Sequence, residues 1–205
     1  QYSFDVLKNN KLISKNVIST DHAKIISISK KYNFEIIKRP KNLSGDLINS
    51  VDVVLHVLKK MNSKFKYLPK WFVLIQPTSI FLQSSDLNKL IKKFNNSSAN
   101  SAQTIVKVPH QFHAYNQRYF DGKYTEFIFA NKRKKQHNKQ VKDLHYAYGN
   151  LIATKTESFI DKKNFFCKPS IGVEISKIRS FDLDNLEDLK LISQIIKKKI
   201  SFYEI

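Results

Sequence analysis

The sequence predicts an open α/β sheet, mostly parallel, with helices covering both faces. Three observations carry that prediction. Strand-like and helix-like segments alternate along most of the chain. Trp71-Phe72-Val73-Leu74-Ile75 is an unbroken apolar run of strand length, the kind buried on both faces of a parallel sheet. Polar clusters recur where strands should end, which in such sheets is the edge where ligands bind.

The elements follow in order. Tyr2, Phe4, Val6 and Leu7 read as a partly apolar helix already under way. With Gln1 in place of a methionine, a preceding N-terminal segment is expected to be missing. Residues 16–21 form a short strand, and Ala23, Ile25, Ile26 and Ile28 mark a helix over 22–32. A second strand, 34–37, is closed by Arg39-Pro40, since proline stops regular pairing. Leu47, Val51, Val54, Leu55 and Leu58 recur at three- and four-residue steps and predict a helix over 46–61. The apolar strand spans 71–77, and Ser84 or Ser85 caps the next helix, through Leu87, Leu90, Ile91 and Phe94. Another strand covers 101–108. Residues 109–145 are polar, aromatic and basic with weak periodicity and predict hairpins and loops; the run Lys132-Arg133-Lys134-Lys135 within them reads either as a loop or as a segment that meets an anion. Regular structure returns at 148–154, at 178–183, and in a last helix from 186 to about 198.

Composition narrows the function classes. A chain of 205 residues suits one large domain over 1–205. Only 4 Gly and 5 Pro argue against a collagen-like or disordered chain. No apolar run approaches the roughly 18 residues of a membrane span, so no membrane partner is expected. The one cysteine, Cys167, allows no internal disulfide and fits a reducing cytoplasm. A net charge of +19 raises nucleic-acid binding, but of the 36 basic residues only four are arginine, and the 32 lysines are scattered. Base and phosphate recognition favours arginine forks, so no nucleic-acid partner is expected.

The polar clusters are Ser19-Thr20-Asp21, Arg39-Pro40, Gln76-Pro77-Thr78-Ser79 and Asp182-Leu183-Asp184, which together would line one rim. Asp182 and Asp184 alternate in an extended segment, so both carboxylates face one side and offer hard oxygens suited to Mg²⁺. The competing reading is a capping box, Asp184-Asn185-Leu186-Glu187, at the start of the last helix. Arg39 offers planar donors for a base or phosphate, or makes a surface salt bridge. Gln76 can both donate to and accept from a polar ligand, or serve the turn it sits in. The six histidines show no metal-ligand spacing; His56 reads as packed within its helix.

Taken in order, these segments resemble the acylneuraminate cytidylyltransferase family. Val17-Ile18-Ser19-Thr20-Asp21 looks like that family's V-x-S-T-D strand, and Arg39-Pro40-Lys41-Asn42-Leu43 its R-P-x-x-L. The segment from Asp46, with Ser50, Val51, Asp52 and Val53, is similar to its D-x-x-x-S-x-D-V helix, and Gln76-Pro77-Thr78-Ser79 matches Q-P-T-S. Arg179-Ser180-Phe181-Asp182-Leu183-Asp184, followed by Glu187-Asp188-Leu189, resembles R-S-I-D-I-D and its trailing E-D-L. The family's glycine-rich basic loop would lie before Gln1, Ile80-Phe81-Leu82 stands where it often has P-L-R, and Tyr148-Gly149-Asn150-Leu151-Ile152 stands where it has N-G-A-I-Y.

The resemblance implies a three-layer α/β/α fold with a Rossmann-like sheet of the nucleotide-diphospho-sugar transferase type. It also implies a small dimerisation arm, placed in an insertion around 109–170. It implies transfer of CMP from CTP to an acidic nine-carbon keto sugar of the sialic, legionaminic or pseudaminic type, with release of pyrophosphate. Relatives that activate the eight-carbon sugar usually carry G-D-E-P where Gln76-Pro77-Thr78-Ser79 stands. Carried over, Arg39, Ser50 and Asp21 would contact the nucleotide, Gln76 and Thr78 the sugar, and Asp182 and Asp184 would be catalytic ligands of Mg²⁺. Phe165 and Phe166 would reach the sugar site of a partner subunit on a swapped arm, which implies a homodimer. The alternative is a non-catalytic nucleotide-binding relative or an inactive fragment of the same fold.

Overall fold

The structure, a computed structural model, describes residues 2–8 and 10–197. Gln1 and the expected last residue of the final helix, 198, lie outside the described residues.

Helix α1 (Tyr2–Leu7) precedes a parallel pair, β1 (Val17–Thr20) and β2 (Glu35–Lys38), joined through α2 (Ala23–Lys31). Helix α3 (Ser50–Phe65) leads into β3 (Trp71–Ile75), and α4 (Ser84–Asn95) into β4 (Ser101–Lys107). A hairpin of β5 (Arg118–Phe120) and β6 (Thr125–Phe127) and the short α5 (Ala130–Lys135) come next. Then follow β7 (Tyr146–Lys155), α6 (Thr156–Lys162), β8 (Ser170–Glu174) and α7 (Leu186–Lys197).

The main sheet has the order β3-β7-β4-β8. Strand β7 runs antiparallel to both neighbours while β4 and β8 are parallel, so β3, β4 and β8 point one way and β7 runs against them. Alternation along β3 builds the layers. Trp71, Val73 and Ile75 pack into a cluster with Leu87, Leu90, Ile91 and Phe94 of α4 and Val6 of α1. Phe72 and Leu74 face the other way, toward Leu58 of α3 and Phe159 of α6. Helices therefore cover both faces, as the sequence predicts. Leu87, Leu90 and Ile91 are fully buried, each contributing about 1.5–3 kcal/mol.

Helix α1 ties the β1–β2 pair to this sheet. The Phe4 ring lies against Tyr32 and Phe34, Ser3 Oγ donates to the Gln76 carbonyl (3.4 Å), and Ser84 Oγ donates to the Val6 carbonyl (3.1 Å).

Two expectations need correction. The helix expected over 46–61 begins four residues later, because Asn49 caps it: its side-chain oxygen accepts from the Val51 N–H (2.9 Å). Leu47, counted in the apolar stripe, is 99% exposed. The regular segment expected over 178–183 is a single 3-10 turn, Ile178–Ser180, followed by extended chain outside the sheet. The strand that pairs with β4 is β8, eight residues earlier, where the missing Cβ of Gly172 admits the Ile105 side chain: a Cβ there would lie 2.7 Å from Ile105 Cδ1.

The basic run 132–135 lies in α5 rather than in a loop. Arg133 is held internally, donating to Asn116 Oδ1 and lying over the Phe127 ring at 4.4 Å, with Arg118 over the same ring at 4.3 Å.

Candidate active site

The carboxyl ends of β1, β2 and β3 carry the first residues of the site. Asp21, just past β1, is exposed. Arg39 follows β2; its backbone N–H donates to the Thr20 carbonyl (2.9 Å), continuing the strand pairing. Its Nη2 donates to the Ser19 carbonyl (2.6 Å) and Nε to Ser19 Oγ (3.3 Å). The guanidinium is thus braced against the end of β1 and makes no ion pair among the described residues. Ser50 opens α3 and is exposed at a terminus whose unpaired N–H groups favour anions. His56 is inside the same helix, its Nδ1 buried without a partner among the described residues. Burial, then Lys60, Arg39 and Lys59, lower its pKa, so it adds no cation to this side of the site.

The turn after β3 meets the segment before α7. Ser79, 1% exposed, donates from Oγ to Asp182 Oδ1 (3.4 Å), and the Leu183 N–H donates to the Thr78 carbonyl (3.2 Å). Gln76-Pro77-Thr78-Ser79 and Asp182-Leu183-Asp184, about a hundred residues apart in sequence, therefore form one constellation. The Gln76 side chain is half-buried and makes no hydrogen bond among the described residues.

The capping question resolves one residue away from the expectation. Asn185 caps α7, accepting from the N–H groups of Glu187 and Asp188 (2.9 Å each), and Asp188 reaches back to the N–H groups of Asp184 and Asn185 (3.0 and 3.1 Å). The Asp184 carboxylate is not spent on the cap, and it is exposed. Among the described residues no group of three or more His, Cys, Asp or Glu converges on a metal position. A pair of carboxylates with free oxygens fits Mg²⁺, which binds through one or two carboxylates and completes its shell with water and phosphate oxygens.

A bulge in β7 shapes the third side. Between the pairs Gln103–Ile152 and Ile105–Tyr148, β4 contributes one residue and β7 three. The Thr104 hydroxyl fills the gap: it accepts from the N–H groups of Asn150 and Leu151 (2.9 Å each) and donates to Asn150 Oδ1 (3.0 Å). Bulges re-aim side chains, and here Asn150, 2% exposed, donates from Nδ2 to the Arg179 carbonyl (2.5 Å). The Arg179 guanidinium pairs with Asp86 at 2.9 Å. Tyr148, at the rim beside the bulge, lies edge-on to Phe166 (5.5 Å). Desolvation first, then the Asp182 charge, pushes its phenol up to about 12, so Tyr148 can donate a hydrogen bond at neutral pH but cannot act as a base. In the sequence, the signal for Tyr148 is its place beside Gly149.

Gly149 is required by close approach. A Cβ there would lie 2.7 Å from Thr104 Oγ1 and 3.0 Å from Ile175 Cδ1. Gly149→Ala is expected to destabilise the protein by about 1–3 kcal/mol through overpacking, read as a lower midpoint in urea unfolding.

The structure divides the Phe165–Phe166 pair. Phe165 is 9% exposed and belongs to the core with Leu58, Ile152 and Phe159, its ring 4.9 Å from that of Phe159. This corrects the placement of Phe165 on an arm; Phe166, 43% exposed beside Tyr148, faces out at the rim. A cavity of about 670 Å³ lies beyond the ends of β4 and β7, with Val106, Lys107, His145, Tyr146, Lys177 and Ser180 among its walls. None of the residues singled out from the sequence lines it.

A family model described as Cytidylyltransferase matches residues 1–202. The chain is 24% identical over 203 residues to N-acylneuraminate cytidylyltransferase of Escherichia coli O18:K1:H7 (strain RS218 / NMEC), covering 97% of this chain and 46% of that protein. It is 22% identical over 191 residues to a Helicobacter pylori (strain ATCC 700392 / 26695) protein, covering 93% of this chain and 36% of that one. That protein is named pseudaminic acid cytidylyltransferase and UDP-2,4-diacetamido-2,4,6-trideoxy-beta-L-altropyranose hydrolase. The chain thus spans less than half the length of these curated relatives. In fold it is similar to CMP:2-keto-3-deoxy-manno-octonic acid synthetase complexed with CTP, with a TM-score of 0.65 at 8% identity over 98% of this chain and 88% of that one.

Proposed function

Because the chain belongs to the cytidylyltransferase family, we propose that it transfers CMP from CTP to the anomeric hydroxyl of an acidic nine-carbon keto sugar and releases pyrophosphate. The observation that supports this best is the joining of the Gln76–Ser79 turn to Asp182 and Leu183 at the carboxyl edge of the sheet. The names of both curated relatives, which act on N-acylneuraminate and pseudaminic acid, favour a sialic-type acceptor.

In this reading the sugar hydroxyl attacks the α-phosphorus. An oxygen–phosphorus bond forms as the bond to the bridging oxygen of pyrophosphate breaks, and the hydroxyl proton passes to solvent. Such transfers depend on positioning and charge stabilisation more than on covalent help. Asp182 and Asp184 would hold Mg²⁺, which supplies charge neutralisation on the phosphate oxygens. Asp21, Arg39 and Ser50 would bind the nucleotide, with the Arg39 fork already oriented by Ser19. Gln76 and Thr78 would orient the sugar, with Phe166 and the protonated Tyr148 beside them. The reading includes a homodimer through the β5–β6 hairpin, whose Tyr119, Phe120 and neighbouring Tyr124 are 65%, 62% and 64% exposed.

Thermal unfolding with CTP, ATP, GTP and UTP, each with and without Mg²⁺, tests the proposal. A ligand that binds only the folded state at a hundred times its Kd stabilises it by about 2.7 kcal/mol. The expected result is a rise specific to CTP and dependent on Mg²⁺. A rise with every nucleotide alike, or with none, counts against the reading.

A further inference from the structure

The segment that carries Asp182 and Asp184 is not part of the sheet, yet one of its residues is gripped at both ends. Past β8 the chain makes a single turn, Ile178–Ser180, and runs on without ladder hydrogen bonds to α7. Its position therefore depends on individual contacts. Arg179 makes the two strongest. Its guanidinium meets Asp86 Oδ1 at 2.9 Å, and Asp86, in the first turn of α4, is 3% exposed. Its carbonyl accepts from Asn150 Nδ2 at 2.5 Å, and Asn150 is itself locked by Thr104 within the bulge.

These grips are costly. Asp86 buries a carboxylate whose Oδ2 has no hydrogen-bond partner among the described residues. A single ion pair seldom repays such desolvation, and an apolar pair of similar volume is often at least as stable. The bulge in turn diverts three residues of β7 from regular pairing with β4. Both features converge on one residue, three positions before Asp182, and stability alone does not call for either.

We propose that Asp86 and Asn150 are positioning residues: acting through the side chain and the carbonyl of Arg179, they set where Asp182 and Asp184 stand at the rim. The proposal rests on the metal-binding reading of those two carboxylates.

The test uses Asp86→Asn and Asn150→Ala, one variant for each grip, with two readouts. The first is hydrogen exchange at the Leu183 amide, which donates to the Thr78 carbonyl, against the amides of α3 as an internal reference. The second is Mn²⁺ affinity in the presence of CTP, from the electron paramagnetic resonance of free Mn²⁺. Losing either hydrogen bond predicts exchange at Leu183 faster by on the order of tenfold, α3 amides unchanged, and Mn²⁺ affinity weaker by a similar factor. Unchanged exchange at Leu183 in both folded variants overturns the grip. Faster exchange with unchanged Mn²⁺ affinity overturns the positioning role. A wild-type chain that binds no Mn²⁺ with CTP overturns the functional reading and with it the positioning role, while the exchange data still judge the grip itself.

Discussion

Asp184→Asn is expected to lower the rate of CMP-sugar formation by about a hundredfold or more, the scale for removing one preorganised electrostatic contact to a phosphoryl-transfer transition state. It is expected to do so with little change in stability. The Asp184 side chain is exposed, and the cap of α7 is made by Asn185 and Asp188. Asp184 joins that cap through its backbone N–H, which the substitution keeps. Surface changes of this kind usually fall within about 0.5 kcal/mol. Asp182→Asn should also lose turnover, but there the Ser79 contact is disturbed as well, so position 184 gives the cleaner test. The measurement is pyrophosphate release by the protein with CTP and the acceptor sugar, beside its melting temperature. Near-normal turnover in Asp184→Asn would remove that carboxylate from the proposed Mg²⁺ ligands.

The legible parts of the sequence were those where one residue type has one physical job. An uninterrupted apolar strand such as Trp71–Ile75 has to be covered on both faces, and it is. Leu87, Leu90, Ile91 and Phe94 repeat at helical spacing and form the buried stripe of α4. The polar turn after β3 was readable as the end of a strand because Gln76-Pro77-Thr78-Ser79 follows so apolar a run.

The misread parts depended on contacts distant in sequence or on small shifts at element ends. Ile178–Leu183 is as apolar as many strands, but the edge of β4 is taken by Ser170–Glu174, whose fit depends on Gly172 meeting Ile105. Leu47 fits a helical stripe on paper, yet Asn49 starts the helix after it. The bulge opposite Thr104 left no local signature, because one hydroxyl satisfies N–H groups some forty-six residues away. Asp86 looked like an ordinary first-turn acid of α4, a place the helix dipole favours, and only the fold brings Arg179 to it.

Phe165 is where a resemblance and the packing disagree, and truncating each phenylalanine separates them. Phe165→Ala should cost about 3–5 kcal/mol, the range for emptying a buried aromatic site. For a chain of this size that corresponds to a drop of roughly 6–20 °C in melting temperature. The loss is expected because the ring contacts Phe72 at 6.3 Å and Phe159 at 4.9 Å, while the bond from Thr154 Oγ1 to the Phe165 carbonyl (2.8 Å) is kept by the substitution. Phe166→Ala should cost no more than the about 0.5–1.5 kcal/mol of an aromatic pair, since its ring meets Tyr148 edge-on from an exposed position. Its effect should fall on the KM for the acceptor sugar instead. Adjacent residues with opposite signatures would place the core and the rim on two sides of one peptide bond. If Phe165→Ala instead left the melting temperature intact and raised the acceptor KM, that ring would belong to an arm, and the packing against Phe159 would not be what holds it.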